Sequence, residues 1–355
     1  MTSRTGHAAT ASWMVACALA VAGFALVMSS ERVYTQARGQ AAAKPLWPPK
    51  LSEPAPGEVE VLPVQGNVHV VIGAGGNITV QASQEGILIV DTGTAAMSEK
   101  AWTAIRSISR RPLRYIINTN EHPEHTGGNA VLAARGETVP LRDAGYTAGP
   151  AGVLDYKRAS VVSHVNVLRR MSAPTGEKAP TPAAAWPDNT YAIEQKRFYF
   201  NDEPVVIMHR PSNTDGNSIV MFRKSDVIST GDLLDLTRYP MIDLKAGGSL
   251  QAIVDSLNFV IDLTVPAAHG AGGTMVVPGH GRISDHAEVA YYRDMTFIIR
   301  DRIQDMIRKG MTLEQIKKAR PTRDYDARYG SSTGTWTTDM FVEAAYRSLT
   351  KAPAS

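Results

Sequence analysis

From Val59 onward apolar and polar residues alternate with period two, the pattern of strands with one face in a core. Val68-His69-Val70-Val71-Ile72, Asn77-Ile78-Thr79-Val80 and residues 86–90 predict three consecutive strands. Gly73 to Gly76 between the first two is a hairpin turn signal. His69 alternates with apolar neighbours, so it reads as a strand-face histidine rather than a ligand. The period then changes: Ala101, Ile105 and Ile108 recur at helical spacing and predict a helix over 99–110. A strand follows at Arg114-Tyr115-Ile116-Ile117, then a polar loop and a short helix over 130–135. The same order returns more loosely after Val205, with strands at 205–208, 218–222, 227–229 and 274–277 and a helix over 250–263. Two β-rich halves with helices outside predict an α/β fold of the αββα type. This is a four-layer sandwich of two mixed sheets flanked by helices, with any site on the sheet edge.

Between the halves, residues 144–201 are irregular and rich in Gly, Pro and Ala, with one predicted helix over 160–171. His164 on that helix reads as structural. A connection this long is functional or mobile, and 173–188 also fits a disordered insertion. Downstream, Val289, Tyr292, Met295, Ile299, Ile303 and Met306 form one stripe of a long helix over 285–309, a core face by its spacing. Gly310 ends it as a C-cap would, Thr312 with Gln315 opens another helix, and 341–349 form a last one. There is no internal repeat.

The N-terminus departs from this texture. Arg4 precedes an apolar run from Trp13 to Met28, shorter than the roughly 20 residues a membrane span needs. It suits a signal-peptide core with cleavage near Thr35-Gln36-Ala37; an uncleaved anchor is the alternative. Residues 43–56 hold Pro45, Pro48, Pro49, Pro54 and Pro56 and read as a linker or surface strap. The expected division is therefore a signal or anchor over 1–37, a Pro-rich linker over 38–57, a main domain over 58–310 and a helical extension over 311–355. The sole cysteine, Cys17, lies in the apolar run, so the exported part has no disulfide and no thiolate ligand. With 355 residues, 43% of them hydrophobic, the chain can bury a sizeable core. A net charge of +3 without a dense basic block gives no reason to expect nucleic acid as a partner.

The chemistry is concentrated in Ile116-Ile117-Asn118-Thr119-Asn120-Glu121-His122-Pro123-Glu124-His125-Thr126-Gly127-Gly128-Asn129. An apolar strand runs directly into His122, Glu124 and His125, at a strand end where a loop lets side chains converge on a metal. The frame resembles the metal-binding loop of the metallo-β-lactamase superfamily, Thr-His-x-His-x-Asp-His-x-Gly-Gly. Further motifs follow in the family's order: Leu88-Ile89-Val90-Asp91-Thr92-Gly93, Asn213-Thr214-Asp215-Gly216-Asn217, Thr230-Gly231-Asp232 and Pro278-Gly279-His280-Gly281. Together they span about residues 59–307. The resemblance implies a first metal site at Asn120, His122 and Asn213, in which asparagine replaces two histidines. It implies a second at Glu124, His125 and His280, with Asp232 between the two and glutamate in place of aspartate at 124. It assigns Asp91 and Asp215 to holding the ligand loops by hydrogen bonds, and residues 144–201 to walling the pocket.

Glu124, His125 and His280 make a His₂Glu set, known for catalytic zinc with an open position for water. Zinc there would lower the water's pKa toward about 7 and polarise a substrate carbonyl. Asp232 would be a fourth ligand or a general base, and His122 a leftover ligand or a donor to an oxyanion. Because asparagine is a poor zinc donor, one ion is expected, with iron or manganese as alternatives. His209, four residues before Asn213, is a candidate to fill the gap, but it reads rather as a strand histidine pointing into the sandwich. The expected function is an exported zinc hydrolase acting on an ester, lactone, thioester or β-lactam. The alternative is an impaired relative that binds a metal, small molecule or partner without turnover.

Overall fold

The computed structural model describes residues 54–138, 157–173, 179–269 and 272–350, all within the unit Lys50–Ser355. The expected signal segment, its cleavage tripeptide and most of the Pro-rich linker lie outside the described residues. Seven strands form the first sheet in sequence order: β1 (Glu60–Gln65), β2 (Val68–Ile72), β3 (Ile78–Ser83), β4 (Gly86–Val90), β5 (Leu113–Ile117), β6 (Ser160–His164) and β7 (Asn189–Tyr191). β1 to β4 pair antiparallel through hairpins, whereas β4 to β7 pair parallel. The second sheet contains β8 (Gln195–Phe200), β9 (Glu203–His209), β10 (Ser218–Phe222), β11 (Val227–Ser229), β12 (Met275–Val277) and β13 (Ser284–Asp285). Its order is β13-β12-β11-β10-β9-β8, and β11 with β12 is its parallel pair.

The period-two alternation sorts side chains between layers. Leu88, Val90, Tyr115 and Ile117 of the first sheet pack against Val205, Ile207, Val220 and Val277 of the second. Their neighbours Ile87, Ile89 and Ile116 point the other way, onto Ala101, Ala104 and Ile105 of the helix Ser98–Ile108. On the far side Val206, Met208, Ile219 and Val276 meet the helices Leu250–Leu263 and His286–Arg308. The result is the αββα sandwich of two mixed sheets flanked by helices. Phe341 and Val342 of the helix Thr338–Thr350 and Ile316 of the helix Leu313–Ala319 join that same outer core.

Local signals set several boundaries. Asp285 caps the helix His286–Arg308 by accepting from Glu288 N, Gly310 follows it with φ 74°, and Thr312 with Gln315 forms a capping box. One expectation needs correction. Residues 160–171 are not one helix: Ser160–His164 is a strand paired in parallel with β5, and only Val165–Ser172 is helical. The β-branched pair Val161-Val162 completes the sheet, so tertiary pairing overrides the local helical pattern. The stretch read as irregular also contains β7 and β8. Its described part is tied down, since Asp188 Oδ1 accepts from Val161 N and Ala185 O from Asn129 Nδ2, each at 2.9 Å.

Candidate metal centre

Loops from both sheets converge at the strand ends. β5 leads into His122, Pro123 opens the helix Pro123–Thr126, and that turn presents Glu124 and His125. β9 leads to Asn213, β11 to Asp232 and β12 to His280. Asp91, just after β4, adopts φ 65°, a strained conformation for a residue with a Cβ. Its carboxylate serves several partners: it accepts from Thr119 N at 2.8 Å and Thr119 Oγ1 at 2.7 Å, and meets His125 Nδ1 at 2.8 Å. The hairpin after β2 comes so close that a Cβ on Gly76 would lie 2.8 Å from the Glu124 carbonyl oxygen. Asn77 beside it fastens the last loop, donating Nδ2 to Pro278 O at 2.9 Å and Gly281 O at 2.7 Å.

The centre is organised around buried Asp232. Its Oδ1 lies 2.8 Å from His125 Nε2 and 3.5 Å from His280 Nε2. Its Oδ2 meets His122 Nδ1 at 2.9 Å and accepts from Asn120 Nδ2 at 3.1 Å and Asn213 Nδ2 at 3.2 Å. The asparagine oxygens are engaged elsewhere, Asn120 Oδ1 by His122 N at 2.9 Å and Asn213 Oδ1 by Ser212 Oγ at 3.0 Å.

Among the described residues, two groups could hold a cation: Glu124 with His125 and His280, and His122 with Glu124 and Asp232, each with candidate ligand atoms within 4.8 Å of one another. His280 Nε2 and His122 Nε2 are buried and make no hydrogen bond, an arrangement that suits a missing electrophile better than a finished hydrogen-bond network. Two imidazoles and a carboxylate are also a donor set for zinc, so the residues fit a metal.

The electrostatics are those of a dense ion cluster. Burial opposes charge on His125, but the carboxylates of Asp232 and Asp91 outweigh it and hold its pKa well above the ordinary value. Burial likewise disfavours an ionised Asp232, yet His125 and the hydrogen bond from His122 hold it well below the usual carboxylate range. For His122, burial is outweighed by the hydrogen bond to Asp232 and the nearby carboxylate of Asp243, which push it up to about 10. His280 is raised as well, burial yielding to Asp235 and Asp232. A cation can take these nitrogens only as they release protons, so binding is coupled to pH.

The residues named from sequence separate into two places. Glu124, His125, His280, Asp232, His122, Asn120, Asn213 and Asp91 meet in the cluster. Asp215 does not join that hydrogen-bond network: it pairs with Arg170 at 2.6 Å and accepts from Asn166 Nδ2 at 3.0 Å, and Arg170 in turn lies 3.3 Å from Glu121. His209 does not replace Asn213. Its ring stacks on His164 at 3.6 Å between centroids, and Nε2 lies 2.6 Å from Asp215 O. His164 is the N-cap of the helix Val165–Ser172 rather than a residue inside it. Sequence reasoning missed Asn77 and Asp243. Asn77 offered the signal of a polar residue after a glycine turn; Asp243 offered only an Asp shortly before Gly247-Gly248.

Two mixed sheets between helix layers, with imidazole and carboxylate groups gathered at the strand ends, define a metallohydrolase-type sandwich. Residues 71–281, more than half of the 355-residue chain, match the metallo-beta-lactamase superfamily, and the chain belongs to that superfamily. Among solved structures it is similar to a stereoselective inverting sec-alkylsulfatase from Pseudomonas sp., at 13% identity and a TM-score of 0.56. That likeness covers 81% of this chain and 50% of the sulfatase, so the chain spans about half the length of that relative, and it speaks to the fold alone. A metallo-beta-lactamase from Pontibacter korlensis is 16% identical with a TM-score of 0.48, covering 68% of this chain and 99% of that one. No curated protein sequence matches the chain.

Proposed function

We propose that this chain is a metal-dependent hydrolase that holds one zinc ion at Glu124, His125 and His280 and cleaves a small carbonyl substrate, an ester, lactone, thioester or β-lactam. The observation that carries this reading is the gathering of those three ligand atoms within 4.8 Å, although His280 is far from the other two in sequence. A zinc ion there would supply Lewis acidity, making a nucleophile available near neutral pH and polarising the carbonyl. Asp232 is pinned by donors on Oδ2, which leaves Oδ1 facing His125 and His280, the position from which a carboxylate ligates or accepts a proton from water. His125 is oriented from behind by Asp91, as metal-binding imidazoles usually are.

A count of one ion follows from the asparagines. Both point nitrogen toward Asp232 and turn their oxygens to other donors, so neither presents its oxygen to a second cation beside Asp232. Those two positions, with Glu124, are where the chain departs from the superfamily's ligand pattern. Export, with a cleaved signal or an uncleaved anchor, belongs to the same proposal and rests on the apolar run 13–28 behind Arg4.

The test is metal content by mass spectrometry on purified protein, with turnover of an ester, lactone and β-lactam panel to which an alkyl sulfate is added. About one zinc per chain and hydrolysis that disappears in His125→Ala is the expected result. Protein without stoichiometric metal refutes the proposal. Stoichiometric zinc with no turnover favours the binding relative, which the commitment of Asn120 and Asn213 to Asp232 also suits.

A further inference from the structure

Asp243 stands beside the metal centre, and the chemistry described above makes no use of it. Its Oδ2 lies 3.6 Å from Nε2 of His122, the buried nitrogen that has no hydrogen bond. The other nitrogen of that ring meets Asp232. The loop is built to hold the carboxylate in place. Oδ1 accepts from Lys245 N and Ala246 N, both at 3.0 Å. The Asp243 amide donates to Asn213 O at 3.0 Å, and its carbonyl accepts from Gly248 N at 2.7 Å. A Cβ on Gly248 would lie 2.2 Å from Asn213 O, so the loop closes tightly on the Asn213 turn. With Oδ1 spent on the loop, Oδ2 is the atom left for His122.

We propose that Asp243 is a positioning residue of the metal centre: its Oδ2 holds the His122 ring so that Nδ1 is delivered to Asp232, and through Asp232 it sets the carboxylate that faces the cation. The inference rests on the one-zinc reading. Residues that orient the surroundings of a metal ligand in this way typically change metal affinity by about 10–100-fold when replaced.

The experiment measures zinc affinity of the full chain by competition with a chelating dye, for wild type, Asp243→Asn, His122→Ala and the double variant. Asparagine keeps an oxygen for the loop amides but removes the negative charge that faces His122. Zinc should bind about tenfold more weakly, with the metal-free unfolding midpoint unchanged. In the His122→Ala background the same substitution should add nothing, because its effect runs through the ring. Asp243→Ser, which keeps a short acceptor for the loop but does not reach His122, should repeat the loss. Unchanged zinc affinity overturns the inference, as does an equal loss with and without His122. A metal-free midpoint that falls in step with affinity reduces Asp243 to loop support and also overturns it. Wild type that takes up no zinc sinks the proposed function itself, whereas wild type that binds while the variants match it sinks only this inference.

Discussion

Asp232 shows how a single residue decides the character of this site. Its Oδ2 takes three polar partners from positions 120, 122 and 213, so three separate positions feed hydrogen bonds into one carboxylate oxygen. Restoring imidazoles with Asn120→His/Asn213→His removes two donors from Asp232 and adds two nitrogen ligands. Metal content measured by mass spectrometry should rise from about one toward two ions per chain. An unchanged count would show that the spacing of the loops, not the ligand type, limits occupancy. Glu124, His125 and His280 stood out in the sequence as candidate ligands because metal-binding residue types sit in loops flanked by proline and glycine. Asp243 did not, since it meets His122 only across a stretch of more than a hundred residues.

Among the elements, β6 and the helix that follows it join at a titratable cap. His164 Nδ1 accepts from Asn166 N, and its ring stacks on His209. Burial and the neighbouring His209 lower its pKa to about 4, below the ordinary imidazole value near 6.5. The unfolded chain therefore binds this proton first. The stability His164 contributes is complete above about pH 6.5 and is lost as the pH falls toward about 4. His164→Asn keeps an N-cap acceptor and removes the titration. Its unfolding midpoint should consequently fall less than the wild type's between pH 7 and pH 5; equal slopes would refute the assignment. Ile105 tests the helix Ser98–Ile108 in the same way. It is fully buried on the outer face of the first sheet, so Ile105→Ala should cost about 2–5 kcal/mol in a denaturant titration. That helix was legible in the sequence because its apolar spacing is regular. β8 was not: Gln195, Lys196 and Arg197 look like a solvated turn, yet an edge strand accommodates charged side chains and the sheet supplies its pairing.

Across the described residues, one ligand cluster is assembled from loops of both sheets, so closing it on a cation ties the two halves of the sandwich together. A ligand that binds the folded state alone raises stability by mass action. Zinc at about a hundredfold over its dissociation constant should add about 2.7 kcal/mol. Calorimetry should show the unfolding midpoint rising with free zinc in wild type and staying flat in His280→Ala. A rise of the same size in the variant would place the bound metal elsewhere. Asn77 extends the same logic, since the β2–β3 turn donates to the His280 loop and holds it against the rest of the centre.

What the sequence determined by itself is whatever local spacing encodes: period-two strands, the stripe of the helix His286–Arg308, the capping signals and the metal-binding residue types at 122, 124, 125 and 280. What only the tertiary structure decided is direction and partnership. It turned the asparagine nitrogens toward Asp232, set Asp215 on Arg170, paired 160–164 into the sheet and brought Asp243 to His122. The physical reason is range: dihedral preference and periodicity act over a few residues, whereas a hydrogen bond between distant loops exists only once both sheets are packed.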